Sequence, residues 1–226
     1  GVFEITGGTA LFDVTSWGHD ALVVQQGGFL DVSGNALVGS LDGSTDQAYF
    51  GDGYVRFRGN STFGRWVTGG AGGRGIRFCQ GSGGPTGVLE FAEHARLVDA
   101  GSSFRIDRNS GTMRILLGSD AEHFFNYMVY VGRGTARGEL IVTNGTVSVG
   151  TGYGLRVPGL YEMQGSTAAL HSEGLLDVRG GTVTIDARNY NNNYLSGLII
   201  GDRSIAVTND TEALFYDDVL RGWCLL

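Results

Sequence analysis

The chain of 226 residues contains no lysine, two prolines and two cysteines, and it has no long apolar run. So little proline excludes a collagen-like chain, which needs abundant proline together with glycine at every third position. No stretch approaches the roughly 18 consecutive apolar residues of a membrane-spanning helix, so we expect no membrane span within this chain. The 16 basic residues, all arginine, are outnumbered by 23 acidic residues, which gives a net charge of -7. Nucleic acid is therefore not an expected partner, because phosphate binding needs a basic surface.

Glycine and apolar residues dominate what the chain does contain. Glycine accounts for 40 residues, and hydrophobic residues make up 42% of the sequence. Leucine, valine, isoleucine and phenylalanine recur throughout, which argues against disorder. The apolar residues show no sustained 3.6-residue spacing, and glycine is too frequent for stable helices. We therefore predict an all-β protein.

A repeated segment runs through the sequence. The segment Gly174–Ile185 closely matches Gly138–Val149 and also Gly1–Phe12. In each copy two apolar residues alternate with polar ones, and a corner of glycine or asparagine is followed by further apolar positions. This consensus predicts a strand, a tight corner and a second strand. Looser copies begin at Gly28, Gly53, Gly87 and Thr211.

Two further patterns complete the predicted repeat. A third apolar strand recurs in the later copies, at Gly154–Val157 and Ser196–Ile200, so each repeat contributes strands to three parallel sheets. The longest gap between copies, 51 residues, hides a degenerate copy around Phe104–Ile106 and Thr112–Ile115. These patterns predict a parallel β-helix, or β-solenoid, of about seven three-stranded coils.

The two best copies, Gly138–Val149 and Gly174–Ile185, together with Val131-Gly132 and Ile200-Gly201 between strands, carry a family resemblance. They resemble the right-handed parallel β-helix repeats of autotransporter passengers and related large bacterial surface proteins, which are pectin-lyase-like in shape. The likeness covers most of the chain. It implies a right-handed β-helix and a secreted or cell-surface location.

One row of outward positions is the best candidate for catalysis. In successive copies, the residue between the paired apolar residues is Glu4, Asp31, Arg56, Glu90, Ile141 and Asp177. If the repeats stack in register, these side chains lie along one sheet face about 4.8 Å apart. Asp31, Arg56 and Glu90 then alternate acid, base and acid, and paired carboxylates can perform acid–base work on a glycosidic bond. The alternative is a solvated row of alternating charges that avoids like-charge contacts.

The most distinctive polar stretch runs from Arg188 to Tyr194 and is rich in asparagine and tyrosine. These residue types suit sugars, since the tyrosine ring stacks on an apolar sugar face while amides bond hydroxyl groups. Arg188, Tyr190, Asn192 and Tyr194 are therefore a candidate glycan-binding set. An ordinary loop is the alternative, because asparagine is also favoured in turns.

Neither a metal nor a cofactor is expected. His19, His94 and His123 each neighbour an acidic residue, but none has the spacing of a metal site such as His-x-x-x-His. Neighbours on a strand also point to opposite faces, so these pairs do not converge. Cys79 and Cys224 lie several coils apart in a solenoid, beyond the roughly 7 Å between Cα atoms that a disulfide allows, so we expect two free thiols.

These features favour a non-enzymatic structural or adhesive module of a secreted or cell-surface bacterial protein. A solenoid suits this role because each coil buries its core against its neighbours while outer loops vary freely. Its expected partner is a polysaccharide or a host surface glycan. The alternative is a polysaccharide lyase or glycoside hydrolase, similar to a tailspike depolymerase, that uses Asp31, Arg56 and Glu90. We predict one domain over residues 1–226, which is a fragment of a larger exported protein.

Overall fold

The regular secondary structure of the described part of the molecule is entirely β-strand. The computed structural model describes residues 1–12, 20–24, 27–40, 47–50, 53–65, 77–78, 86–99, 103–106, 112–125, 128–132, 137–149, 154–157, 173–185 and 198–200. Strands occur throughout these ranges and helices do not, which confirms the all-β prediction. Within the same ranges, no helix has the length and hydropathy that crossing a membrane requires.

The strands of the described residues form three sheets of seven strands each. In order across sheet 1 they are β1 (Val2–Ile5), β4 (Phe29–Val32), β7 (Tyr54–Phe57), β10 (Gly87–Phe91), β13 (Thr112–Leu117), β16 (Arg137–Val142) and β19 (Glu173–Val178). Sheet 2 contains β2 (Thr9–Phe12), β5 (Leu37–Ser40), β8 (Thr62–Arg65), β11 (Arg96–Asp99), β14 (Glu122–Phe125), β17 (Thr146–Val149) and β20 (Thr182–Ile185). Sheet 3 contains β3 (Asp20–Val24), β6 (Gln47–Phe50), β9 (Arg77–Phe78), β12 (Ser103–Ile106), β15 (Met128–Tyr130), β18 (Gly154–Val157) and β21 (Leu198–Ile200).

The order of the strands follows a single rule. Each sheet takes every third strand of the chain, and neighbouring strands within a sheet pair in parallel. The chain therefore passes from sheet 1 to sheet 2 to sheet 3 and returns to sheet 1 one strand further along. This arrangement is consistent with a parallel β-solenoid, the fold class that the repeat predicts.

The predicted repeat copies coincide with the strands of sheet 1. The copies at Gly1, Gly28, Gly53, Gly87, Gly138 and Gly174 contain β1, β4, β7, β10, β16 and β19. The copy that was expected around Thr112–Ile115 is β13, which lies between β10 and β16. The predicted third strands at Gly154–Val157 and Ser196–Ile200 contain β18 and β21, and both belong to sheet 3. The copy expected at Thr211 lies outside the described residues.

The inner faces of the three sheets share one apolar core. Along β10 and β13 buried residues alternate with less buried ones, as the two-residue period of a strand requires. Side chains from sheet 3 join the same cluster as those of sheets 1 and 2. The core contains Val24, Leu30, Val32, Ala36, Val38, Val55, Phe57, Phe63, Leu89, Phe91, Ala95, Leu97, Met113, Ile115, Leu117, Phe125, Val129, Val131, Leu140, Val142, Val147, Val149 and Leu155.

The corners between sheet 1 and sheet 2 are short and stack on one another. The chain reaches β5 from β4, and β8 from β7, after a corner of only four residues. In these two corners Gly34 and Gly59 have positive φ angles of 67° and 66°, which glycine adopts without strain. The amide of Asn60 donates to the carbonyl of Gly34 at 2.7 Å. The strand ladder therefore continues through the corner.

Gly64 in β8 provides a test of how closely β8 and β11 approach each other. A Cβ atom at Gly64 would collide with the carbonyl oxygen of Val98 on the neighbouring strand β11, and backbone cannot move aside cheaply. We therefore expect Gly64→Ala to lower the free energy of unfolding by about 2–3 kcal/mol. Denaturant unfolding followed by circular dichroism measures this loss.

Gly7→Ala is the matched control for this substitution. Gly7 lies in a corner, and a Cβ there would meet nothing within 4 Å. A surface change of this kind should alter the free energy of unfolding by no more than about 0.5 kcal/mol. Equal denaturation midpoints for the two variants would show that β8 and β11 are not packed as described.

Candidate functional site

The outward row predicted from the sequence exists on sheet 1. The backbone register places Glu4 beside Asp31, Asp31 beside Arg56, and Arg56 beside Glu90. Beyond Glu90 the row continues through Leu116, Ile141 and Asp177. Leu116 belongs to the degenerate copy, and the row predicted from the repeat copies did not include it. We call these seven positions the outer row.

Asp31 is held by two arginines. Arg56 approaches it side-on, with Nε 3.1 Å from Oδ1 and Nη2 3.1 Å from Oδ2. Arg58 donates from Nε to both oxygens at 3.2 Å and from Nη2 to Oδ2 at 3.0 Å. The Asp31 side chain is only 5% exposed, although it lies on the outer face, because the guanidinium groups cover it. The hydrogen bond from Arg56, supported by Arg58, holds the pKa of this carboxyl below its usual value of 3.8.

An aromatic pair adjoins this ion cluster. The rings of Phe29 and Tyr54 meet edge to face, with centroids 5.5 Å apart. The guanidinium carbon of Arg56 lies 5.6 Å from the centroid of the Phe29 ring, within the range of a cation–π interaction. The hydroxyl of Tyr54 donates to Oε2 of Glu90. Burial, together with this bond to the Glu90 carboxylate, raises the pKa of Tyr54 to about 12.

The same pattern of a carboxylate between two arginines recurs further along sheet 1. Glu139 is 6% exposed and accepts from Nε of Arg114 at 2.6 Å and from Nε of Arg137 at 3.0 Å. At β19 Asp177 pairs with Arg179, whose Nη2 lies 2.6 Å from Oδ2. Asp31, Glu139 and Asp177 are thus each joined to one or two arginines on this face.

The three residues predicted for catalysis are not bonded to one another as a trio. The structure joins Asp31 to Arg56, whereas Glu90 is bonded to Tyr54. Asp31 and Glu90 lie two strands apart, which corresponds to about 9.6 Å between their strands, with Arg56 in the row between them. A carboxylate that two guanidinium groups keep ionised is poorly suited to donate a proton to a leaving group. The arrangement favours fixed ion pairing on this face.

Several other predicted residues lie outside the described part of the chain. They are the candidate glycan-binding set of Arg188, Tyr190, Asn192 and Tyr194, the two cysteines Cys79 and Cys224, and His19. Among the described residues, no group of three or more histidine, cysteine, aspartate or glutamate side chains could hold a metal ion.

Two of the histidines have environments that the sequence did not distinguish. His94 is in the corner before β11, where its Nδ1 lies 2.8 Å from both carboxylate oxygens of Asp120, and this contact raises its pKa. The preceding Glu93 has a φ of 60°, a value otherwise taken by glycine in these corners, and its Oε2 accepts from the Gly59 amide at 2.6 Å. His123, by contrast, is fully buried among apolar side chains.

Strand alternation and strand register could have identified most of the site residues that the sequence analysis did not name. Arg58 follows Arg56 by two positions, so strand alternation places it on the same face. The pairing of Arg114 with Glu139 follows from the register of β13 with β16 once β13 is recognised. For His123, the alternation with the inward residue Phe125 predicts an inward position.

Comparisons of the chain with protein-family models, with curated proteins and with solved structures found no match in any of the three. The strand order and parallel pairing are compatible with a β-helix-like solenoid, and no family is shown.

The Asp31 cluster makes a prediction about pH. The pKa of Asp31 is lower in the folded chain than in the unfolded chain, so its stabilising contribution is present above about pH 3.8 and is lost as pH falls through the folded-state pKa. We expect Asp31→Asn to lower the free energy of unfolding by about 1–3 kcal/mol near neutral pH, because two arginines lose their charged acceptor. The variant should also lose stability less steeply below about pH 4. Unfolding curves over a range of pH measure both effects.

Asp177→Asn is the matched control for this variant. Within the described part of the chain Asp177 pairs with Arg179 alone, and its side chain is 24% exposed. Its removal should lower the free energy of unfolding by less than about 1 kcal/mol, as is usual for solvated ion pairs. If both variants behaved alike, the double-arginine clamp on Asp31 would contribute nothing beyond an ordinary surface pair.

Proposed function

We propose that this chain is a non-enzymatic structural or adhesive module of a secreted or cell-surface protein. Its architecture is proposed to be a right-handed parallel β-helix of about seven three-stranded coils, similar to the repeats of bacterial surface proteins. The three seven-stranded parallel sheets of the described residues support this architecture. Such a module provides a stiff spacer whose side faces are available to partners.

One observation carries the non-enzymatic assignment. The charged residues that were the best candidates for catalysis are bonded to separate partners along sheet 1. Asp31 is clamped by Arg56 and Arg58, and Glu90 accepts from Tyr54. A catalytic pair instead needs two groups within reach of one bond and in complementary protonation states. Pairing of this kind fits a face that is rigid and neutralised.

The same face is the proposed contact surface of the module. Phe29 and Tyr54 provide aromatic surface beside Arg56, and these residue types are enriched where proteins bind partners. Phe29 and Tyr54 are partly buried, so their rings are held in place before a partner arrives. We propose a polysaccharide or a surface glycan as this partner, since aromatic rings stack on sugar faces and arginine donates to sugar oxygens.

The competing function is a polysaccharide lyase or glycoside hydrolase that uses Asp31, Arg56 and Glu90. The presence of the three residues in one row, in adjacent register, is the observation in its favour. For such an enzyme, a substrate would have to displace Arg56 from Asp31 or Tyr54 from Glu90 before either carboxylate could act.

Incubation with a panel of neutral and acidic polysaccharides separates the two functions. We expect binding to some immobilised glycans without unsaturated products or new reducing ends. Tyr54→Ala should weaken this retention at least about tenfold, because one stacked ring contributes on the order of 1.4 kcal/mol. Product formation that Asp31→Asn and Glu90→Gln abolish would replace the proposed function with the enzymatic one.

Sheet 2 offers control substitutions for this experiment. Glu122 and Arg96 are exposed residues of β14 and β11 that pair with Ser148 and Thr62, respectively. Glu122→Gln and Arg96→Met should leave retention unchanged, whereas Glu90→Gln and Arg56→Met should reduce it. Equal losses from both faces would remove sheet 1 as the contact surface, and no retention on any glycan would leave the chain a spacer without adhesive function.

A further inference from the structure

A histidine interrupts an apolar column inside sheet 2. The strand register aligns the inward position of β14, His123, with Val147 of β17 and Val183 of β20. On the other side, the inward residue of the preceding strand β11 is Leu97. His123 has 0% exposure. The other members of the column are Ala10, Val38, Phe63, Leu97, Val147 and Val183.

The histidine ring accepts a backbone hydrogen bond from the neighbouring strand. The paired register of β11 with β14 begins at Val98 and Phe124, one position beyond Leu97 and His123. At that position the Leu97 amide donates to Nδ1 of His123 at 3.3 Å. Since Nδ1 accepts, the neutral ring carries its hydrogen on Nε2. We call the contact of β11 and β14 around this bond the seam.

The remainder of the ring has apolar surroundings. Nε2 of His123 is buried and has no hydrogen-bond partner among the residues that the structure describes. The ring of Phe91 on β10 meets it edge to face, with centroids 5.3 Å apart. A buried polar atom without a partner costs about 1–3 kcal/mol, so the imidazole is a less stable occupant of this position than the valine found on the next strand.

The charged side chains that the structure describes on the packed strands lie on the outer faces. On β10, β11 and β14 they include Glu90, which accepts from Tyr54 on the outer face, and the exposed Arg96 and Glu122. Asp99 ends β11 and is paired in register with Phe125. Burial is the cause that lowers the pKa of His123, to about 4 from its usual 6.5.

Protonation of this ring has a defined structural consequence. A proton added at Nδ1 would face the Leu97 amide hydrogen, so an acceptor becomes a second donor and the bond across the seam is lost. Among the side chains that the structure describes there, the positive charge would meet apolar groups and no carboxylate. We propose that His123 is an acid-sensitive latch: as pH falls below neutrality, its protonation favours opening of the seam between β11 and β14 while the strands on either side stay paired.

The sign of the pH dependence follows from the direction of the shift. The opened seam exposes His123 to water, where it binds a proton near pH 6.5, whereas the closed seam binds it only near pH 4. Stability of the seam is therefore complete above about pH 6.5 and falls between about pH 6.5 and pH 4. From about pH 7.5 to about pH 5.0 the opening equilibrium should rise about 30-fold, which corresponds to about 2 kcal/mol.

Amide hydrogen exchange tests the latch in the intact chain. Exchange of β11 and β14 is measured at about pH 7.5 and about pH 5.0, and corrected for the intrinsic effect of pH, with β4 as the internal reference. We expect protection of β11 and β14 to fall about 30-fold between these conditions and that of β4 to change by less than about threefold. Unchanged protection of β11 and β14 in the wild-type chain would overturn the proposal without any variant.

Two histidine variants identify the responsible group. His123→Val places the residue of the next strand in the column, and it should abolish the acid-induced loss and raise protection at both pH values. His94→Asn removes the exposed histidine that pairs with Asp120, and because the pKa of His94 is raised, that pair strengthens in acid. The His94 variant should therefore keep the acid-induced opening of the seam. Persistence of the opening in His123→Val, or its loss in His94→Asn, would show that His123 is not the latch.

Discussion

The parallel register of sheet 1 is the constraint on which the other features depend. Each residue of a strand lies beside the equivalent residue of the previous and next strand, about 4.8 Å away. Inward positions can therefore form continuous apolar columns, and this is the source of the shared core. Outward positions have no such freedom, because like charges directly opposite one another destabilise a sheet. A charged outer row must alternate in sign or find partners along the strand.

Arginine can pair with the carboxylates of the outer face in a geometry that lysine cannot adopt. Asp31 receives four N–H groups from Arg56 and Arg58, and two planar guanidinium groups can share one carboxylate because each presents a rigid fork. Glu139 uses Arg114 and Arg137 in the same manner. The chain has no lysine, so every basic group on this face is able to bond in this geometry. Two neighbouring arginine side chains therefore share a single carboxylate as their partner.

The strand period and the repeat alignment were enough to predict six of the seven positions of the outer row, the hidden strand β13 and the strands β18 and β21. The bonds within the row could not be predicted, since side-chain rotamers determine them. Register alone pairs Arg56 with both Asp31 and Glu90, yet Arg56 binds Asp31 and Tyr54 takes Glu90. Arg58 competes successfully because a long side chain two residues along the strand reaches the same carboxylate. The strand register determines which residues are neighbours, and the length of each side chain determines which neighbour it binds.

The inner and outer faces therefore differ in how they respond to acid. On the outer face Asp31 remains ionised to below its usual pKa because arginines surround it, so its ion pairs with Arg56 and Arg58 persist in mildly acidic conditions. Among the described side chains of the interior His123 has no counter-charge, and the hydrogen bond that its Nδ1 accepts from Leu97 depends on the neutral ring. The proposed latch therefore responds to a pH range in which the Asp31 ion pairs persist. In a stack whose strands contact mainly their immediate neighbours, such a defect can remain local, because neighbouring strands keep their own ladders.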